Sequence, residues 1–407
     1  MSPEAGRLRA CSRPGGSSLT ASSDPRKVSN RSASVSGFFL DARADGSASL
    51  RAVAYIVAGE SVPQLAPLVE ELRAALERVG FAPASDDTPP ELVVNVVDRE
   101  RPRPFRRRSR GTYVAALHAV DAQPPDPLRE GYPILVRALA NVSLTYVPGR
   151  GVWFTTLERG SYLVTESNGV ASLAEAVVER LTPLARSRLV IENEFRPDLE
   201  PELWGGDEIS ASVAKAGRRL DELGLLPAPF PVEELVDERD LRHIKRLYGL
   251  GGLSYGNLSA RKDASRFWMS ASGVDKSRLE TPGRDILLVS GYDAEQGRIV
   301  LSVPPGVEPR RVSVDAIEHW KIYRDHPDVG AMLHVHAWVE GVPATEVNYP
   351  CGTEELAQNV ADLLAAEPDP AHAIIGLRNH GITATGASLE EILDRIAPKL
   401  LPQVPMT

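Results

Sequence analysis

Of the eight histidines in this 407-residue chain, six follow residue 318, and two of these form an HxH pair, His334 and His336, in the segment MLHVHAW. Residues i and i+2 of a β-strand point to the same face, so two imidazoles at that spacing can converge on one ion. A third, His380, follows the apolar run AIIGL in the sequence LRNHGITATG. Three imidazoles with one open position are a common ligand set for catalytic zinc. An HxH pair alone says less, because imidazole also serves as a hydrogen-bonding group in cores. The two cysteines, Cys11 and Cys351, form no CxxC pair, so a metal site here must draw on histidine and carboxylate.

Short polar motifs surround the histidines. Gly256-Asn257-Leu258-Ser259 and Ser270-Ala271-Ser272-Gly273 come first. Gly256 permits a close backbone approach, Asn257 offers an amide donor, and Ser272-Gly273 supplies a hydroxyl and an unobstructed N–H. Such groups can cradle an anion without fixed positive charge. They also read as ordinary turns. Lys276 is either a neutralising charge for an anionic substrate or a surface lysine. Ser313-Val314-Asp315, Pro327-Asp328, Gly352-Thr353-Glu354-Glu355-Leu356 and Asn379-His380-Gly381 complete the series.

In their order and spacing these six motifs resemble the class II aldolase/adducin family, to which fuculose-phosphate aldolase and ribulose-phosphate 4-epimerase belong. The resemblance covers the C-terminal half only. It implies that His334, His336 and His380 bind one divalent ion, with zinc as first choice and manganese, cobalt or iron(II) as alternatives. It implies that Gly256, Asn257, Ser272, Gly273 and Ser313 line a phosphate pocket. It gives Asp315, twelve residues before Pro327, the place of the glutamate that moves protons in the aldolases. The expected function is that of a metal-dependent aldehyde-lyase, making or breaking a C–C bond through a metal-stabilised enediolate on a small sugar-like or hydroxy-carbonyl substrate. An epimerase or dehydratase on the same scaffold is the alternative, as is an adducin-like binding module without chemistry. The resemblance also implies a homo-oligomer, a tetramer first. The tail Leu401–Thr407 is apolar and stiffened by two prolines, so it could pack on a neighbour.

Three departures from the family pattern bear on the reaction. Asp315 is one methylene shorter than glutamate, a loss of reach of roughly 1.3–1.5 Å. Val314 stands where the family has a second pocket serine. Only 337–351 separates the HxH pair from the GTEEL motif, and Tyr349, the single tyrosine there, does not match the aldolase proton donor. Glu318, one helical turn beyond Asp315, is a substitute base with the wrong spacing. His319 and His326 read as structural or exposed residues.

These residues need elements to position them. The resemblance implies an α/β/α layered domain over 205–407 with a central, mainly antiparallel sheet. Ahead of it, strand-like runs alternate with helical periodicity over 50–195, which predicts a separate small α/β domain. Strands are expected at 51–59, 91–97, 112–120 and 141–147, a hairpin over 151–165, and helices at 62–79, 127–140 and 171–186. No motif in this part carries a mechanism, so its expected roles are oligomerisation, gating or partner binding. Gly149-Arg150-Gly151 lacks the spacing of a phosphate loop. Seven arginines between Arg99 and Arg110 read as a solvated loop or as a grip on an anion. Residues 195–204 read as a linker, with helices over 208–225 and 233–248 after it. The Ser- and Arg-rich residues 1–48 are expected to be disordered.

Composition narrows the classes. With 43% hydrophobic and 25% charged residues the chain has a globular profile and enough length for two domains. No apolar run is long enough to span a membrane. A net charge of −9 argues against nucleic acid as the partner and leaves a small-molecule substrate. Two isolated cysteines fit a reducing cytoplasm.

Overall fold

The computed structural model describes residues 53–85, 88–109, 111–157, 160–227, 230–247 and 254–407. The tail 1–48, the start of the strand expected from Arg51, the end of the helix expected to reach Tyr248 and Arg110 of the basic loop lie outside these residues.

The first sheet contains β1 (Val53–Gly59), β2 (Phe81–Pro83), β3 (Leu92–Val96), β4 (Tyr113–Ala119), β5 (Val142–Val147), β6 (Gly151–Thr156) and β7 (Gly160–Thr165), with α1 (Ala66–Arg78), α2 (Pro127–Arg137) and α3 (Gly169–Arg186) between and after them. The order is β2-β1-β3-β4-β5-β6-β7. Pairing is parallel as far as β5 and antiparallel through β6 and β7. Parallel strands covered on both faces read as continuous apolar runs, and β3 (LVVNV) is buried at every position. Leu68 and Leu72 of α1 and Leu173 and Val177 of α3 pack on one face. Ile134 of α2 packs on the other, against Val93, Val114 and Ala116. Asp126 caps α2 by accepting from the Arg129 N–H at 3.0 Å, worth about 1 kcal/mol.

The second sheet contains β8 (Glu192–Arg196), β9 (Asn257–Arg261), β10 (Phe267–Ser270), β11 (Ile286–Asp293), β12 (Arg298–Ser302), β13 (Ala331–Val335), β14 (Ile374–Leu377) and β15 (Gly381–Gly386). Its order is β14-β15-β13-β9-β10-β11-β12-β8, antiparallel except for the β12–β8 pair. The helices of this half are α4 (Glu208–Glu222), α5 (Val232–Leu235), α6 (Glu238–Leu247), α7 (Ala316–Asp325), α8 (Glu354–Ala366) and α9 (Leu389–Ile396). Helices α4 and α9 pack on each other and on β9, β10, β13 and β15, whereas α7 and α8 pack together and on β11 and β14. The result is the expected α/β/α layering around a mainly antiparallel sheet.

Two details differ from the sequence reading. Residues 192–196 form an edge strand, with Phe195 opposite Leu301, where the sequence suggested the approach to a linker. The segment ENEFR is mostly charged, as edge strands often are, and so lacks an apolar alternation. The helix expected over 233–248 is two helices. The Asp237 carboxylate accepts from the Asp240 N–H at 2.8 Å and starts α6 anew. Both short helices pack on α2 of the first sheet, through Val232, Leu235 and Ile244 against Tyr132, Leu135 and Val136. Leu401 and Trp338 exchange backbone hydrogen bonds at 2.8 Å, which ties the start of the tail to the body of the chain. Residues 50–407 form one compact unit. Among the described residues no helix is long and apolar enough to cross a membrane.

Candidate metal centre

His334 lies on β13, and His336 follows the strand's last residue. β15 runs beside β13, with His334 opposite Thr383. The three-residue turn joining β14 to β15 ends in His380. Within that turn Asn379 adopts φ 55°, a left-handed conformation that asparagine tolerates better than most residues. Its side chain is held from both sides: Oδ1 accepts from the Thr407 N–H at 2.7 Å, and Nδ2 donates to the Thr407 carbonyl at 2.9 Å. The hairpin therefore delivers His380 to the strand that carries His334.

One ligand atom from each of His334, His336 and His380 lies within 4.8 Å of the others. His334 and His380 are buried, and His336 is half-buried. The His334 Nδ1–H donates to the Ile382 carbonyl at 3.0 Å, which leaves the Nε2 lone pair of His334 facing Nε2 of His380, 3.1 Å away. Two imidazole nitrogens held by one tetrahedral zinc at 2.0–2.1 Å would be about 3.3 Å apart. The donor set, the tautomer and the spacing thus all suit a divalent ion. Cys351, which the sequence did not single out, has its Sγ 3.4 Å from Nε2 of His380.

Asp315 precedes α7, but its side chain does not cap the helix. The carboxylate turns inward instead. Oδ2 accepts from Asn257 Nδ2 at 2.8 Å, and Oδ1 accepts from the Gly352 N–H at 3.3 Å. Asn257 sits opposite His334 in the β9–β13 register. Gly256, just before it, has φ +71°, and a Cβ there would stand 2.4 Å from the His334 carbonyl oxygen. Glycine is required for this approach.

The remaining expected pocket residues gather along β10. The Ser272 N–H donates to the Arg311 carbonyl at 2.8 Å, and the Ser313 N–H to the Ser270 carbonyl at 3.2 Å. Gly273 is exposed. Lys276 is buried, and its ammonium donates to the Ser254 carbonyl at 2.5 Å, so it is no surface lysine.

Glu318 is fully buried and accepts from the Thr383 hydroxyl at 2.6 Å. Burial, followed by the charge of Asp315, pushes its carboxyl up to about 8. His319 is held by the Ser259 hydroxyl at 2.7 Å, and burial lowers it to about 3, so it stays neutral in a core network with Tyr323. His326 is half-buried and its carbonyl accepts from Arg261. In the basic loop, Arg99 grips Glu130 through two bonds of 2.6 and 2.8 Å, and Arg107 donates to the Leu139 carbonyl.

A cavity of about 550 Å³ opens onto His336 and His380. Trp153 and Ser161 of the first sheet line it, as do Val404 and Met406 of the tail. The sequence carries no signal for Trp153 and Ser161, which lie far from the ligands along the chain and belong to no motif. A larger cavity of about 920 Å³, beside α3 and Arg378, is lined by none of the three histidines.

Comparison with known proteins bears on the C-terminal half. Residues 241–345 match the model of the Class II Aldolase and Adducin N-terminal domain. Methylthioribulose-1-phosphate dehydratase from Leptospira biflexa is 32% identical over 107 residues, 26% of this chain and 45% of that protein. The enzyme of the same name from Cronobacter sakazakii is 36% identical over 81 residues, 20% of this chain and 36% of that protein. The chain thus spans less than half the length of these curated relatives. Among solved structures, an L-fuculose 1-phosphate aldolase aligns at 20% identity over 48% of this chain and 82% of its own, with a TM-score of 0.33. The N-terminal class II aldolase domain of a conserved protein from Thermoplasma acidophilum aligns at 16% identity over 47% and 90%, with a TM-score of 0.31. The C-terminal half of the chain resembles the class II aldolase/adducin family, and the family's own domain model matches it at residues 241–345.

Proposed function

We propose that the C-terminal half is a metal-dependent lyase, in which His334, His336 and His380 hold one divalent ion and Asp315 moves a proton on a small hydroxy-carbonyl substrate. The observation that carries this reading is the convergence of the three imidazoles on one point. Asp315, whose side chain caps no helix, is bonded to Asn257, the residue opposite His334 in the β9–β13 register. A bound divalent ion, zinc first with manganese, cobalt and iron(II) as alternatives, supplies Lewis acidity toward carbonyl and hydroxyl oxygens. The protein supplies the rest. Ile382 fixes the ring of His334, Asn379 fixes the turn that carries His380, and Asn257 with Gly352 aims Asp315. The aspartate then accepts a proton from carbon or oxygen next to the carbonyl.

A dehydratase is the second reading, favoured by the names of the curated relatives. The two reactions share the proton removal and differ in whether a C–C or a C–O bond breaks next. We read the protein as a cytoplasmic homo-oligomer, a tetramer first, and its mass by light scattering tests that part.

Metal analysis of the full-length protein tests the centre. Metal-supplemented protein should carry close to one equivalent of ion, and His336→Ala should fall below about a tenth of that while keeping its far-UV spectrum. The loaded protein should exchange the C–H protons of dihydroxyacetone with deuterium oxide. Full occupancy in the variant counts against the centre, and a protein that binds no metal is a binding module instead.

A further inference from the structure

The first sheet helps to enclose the cavity onto which the triad opens, and the walls it supplies are fixed. The indole N–H of Trp153, on β6, donates to Gln123 Oε1 at 3.2 Å. Ser161, on β7, shares a 2.8 Å hydrogen bond with the fully buried Thr155. Phe230 packs edge-on against the buried ring of Tyr132, with centroids 5.6 Å apart. Leu128, at the start of α2, lines the same space. Side chains locked in this way hold a pocket's shape better than loop residues do.

The charge of the lining is equally telling. Among the described residues none of those lining the cavity is lysine or arginine. Its one carboxylate, Asp126, already caps α2. On the β10 side, four donors already have partners in the protein: Asn257 Nδ2 with Asp315, the Ser272 and Ser313 N–H groups with backbone carbonyls, and the Lys276 ammonium with Ser254. A phosphate dianion turned away from the triad, against apolar walls without a lysine or arginine, would lose hydration for little return. An uncharged apolar group loses none and gains by burial.

We propose that the first sheet, with its helix α2 and with Phe230 packed on that helix, sets the substrate class: the compound held at the triad turns an uncharged, apolar, ring-sized group toward Trp153, Phe230 and Leu128, and carries no phosphate there. This inference rests on the triad being a metal centre. It makes Trp153 and Ser161 specificity-determining residues from a part of the chain that has no motif of its own.

Three hydroxamates with the same chelating head test it on cobalt-loaded full-length protein, through the visible cobalt absorption. Acetohydroxamate carries a methyl group, benzohydroxamate a phenyl ring and phosphonoacetohydroxamate a charged phosphonate. Benzohydroxamate should bind roughly 10-fold or more tightly than acetohydroxamate, from burial of the ring against aromatic walls. Phosphonoacetohydroxamate should bind no more tightly than acetohydroxamate. Trp153→Ala should shrink the phenyl advantage to about threefold or less. Ser161→Leu, which fills the space without removing a wall, should also shrink it, and covers the case in which Trp153→Ala does not fold. A phosphonate preference, or a phenyl advantage untouched by both variants, overturns the inference and leaves the metal centre standing. Absence of any cobalt spectrum overturns the metal centre and the inference with it.

Discussion

Asn257 joins two parts of the site: its side-chain amide donates to Asp315 at 2.8 Å, while its backbone lies opposite that of His334. The carboxylate is therefore tied to β9, the strand paired with the one that carries His334. Replacing the amide should expose this coupling. Asn257→Ala takes one donor from a buried Asp315, a loss of about 1–3 kcal/mol for a charged acceptor. Thermal unfolding should show the drop. A melting temperature equal to wild type would mean that the bond contributes nothing.

Asp315 itself can be separated into three roles by one substitution. Asp315→Asn keeps the shape and removes the basicity. If the residue moves the proton, exchange of dihydroxyacetone C–H with deuterium should fall by about 10²–10⁴-fold with metal content near wild type. If it is a ligand, metal affinity should fall by roughly 10-fold or more. A plain helix cap would lose stability with activity retained, and the absence of a side-chain capping bond already weighs against it. Metal content, turnover and melting temperature of the one variant distinguish the three.

Much of this site was legible in the sequence because its chemistry sits in short motifs whose register is local. HxH on a strand and NHG at a hairpin turn bring their own geometry with them. The long apolar strands and the amphipathic helices of the first half were legible for the same reason. What local pattern cannot carry is pairing between distant segments. The edge strand 192–196 is recognisable only by its partner β12. Lys276 looks like a surface charge until the fold buries it against Ser254. The cavity walls from Trp153 and Ser161 are the clearest case, since nothing in either residue's own neighbourhood refers to a histidine some two hundred residues away.

Gly256 should tolerate no side chain. Its φ of +71° strains any other residue, and a Cβ would press on the His334 carbonyl oxygen. Gly256→Ala should lower stability by at least about 1–3 kcal/mol. Because the push falls on the backbone of a triad residue, metal affinity should fall as well, by more than for a Gly→Ala change at the open turn of Gly297. Metal titration of the two variants side by side gives the comparison, and equal affinities would mean that β13 shifts without moving the ligand.

Glu318 offers a test in pH. Its carboxyl lies up near 8 against an ordinary value of 4.5, because burial and the neighbouring Asp315 charge disfavour its ionised form. Between those two values the folded protein holds a proton that the unfolded chain has lost. Stability therefore falls as pH rises through this window, and levels off above the folded value. The loss should amount to a few kcal/mol at most, shared with Asp315 because the two carboxyls titrate together. Glu318→Gln keeps an oxygen to accept from Thr383 and removes the titration. In metal-free protein its melting temperature should match wild type near pH 5 and exceed it by a few degrees near pH 8. Unfolding curves at half-unit steps from pH 5 to 8.5 would show the gap opening, whereas a constant offset across that range would mean that Glu318 is ionised in the fold and that its negative charge is accommodated beside Asp315.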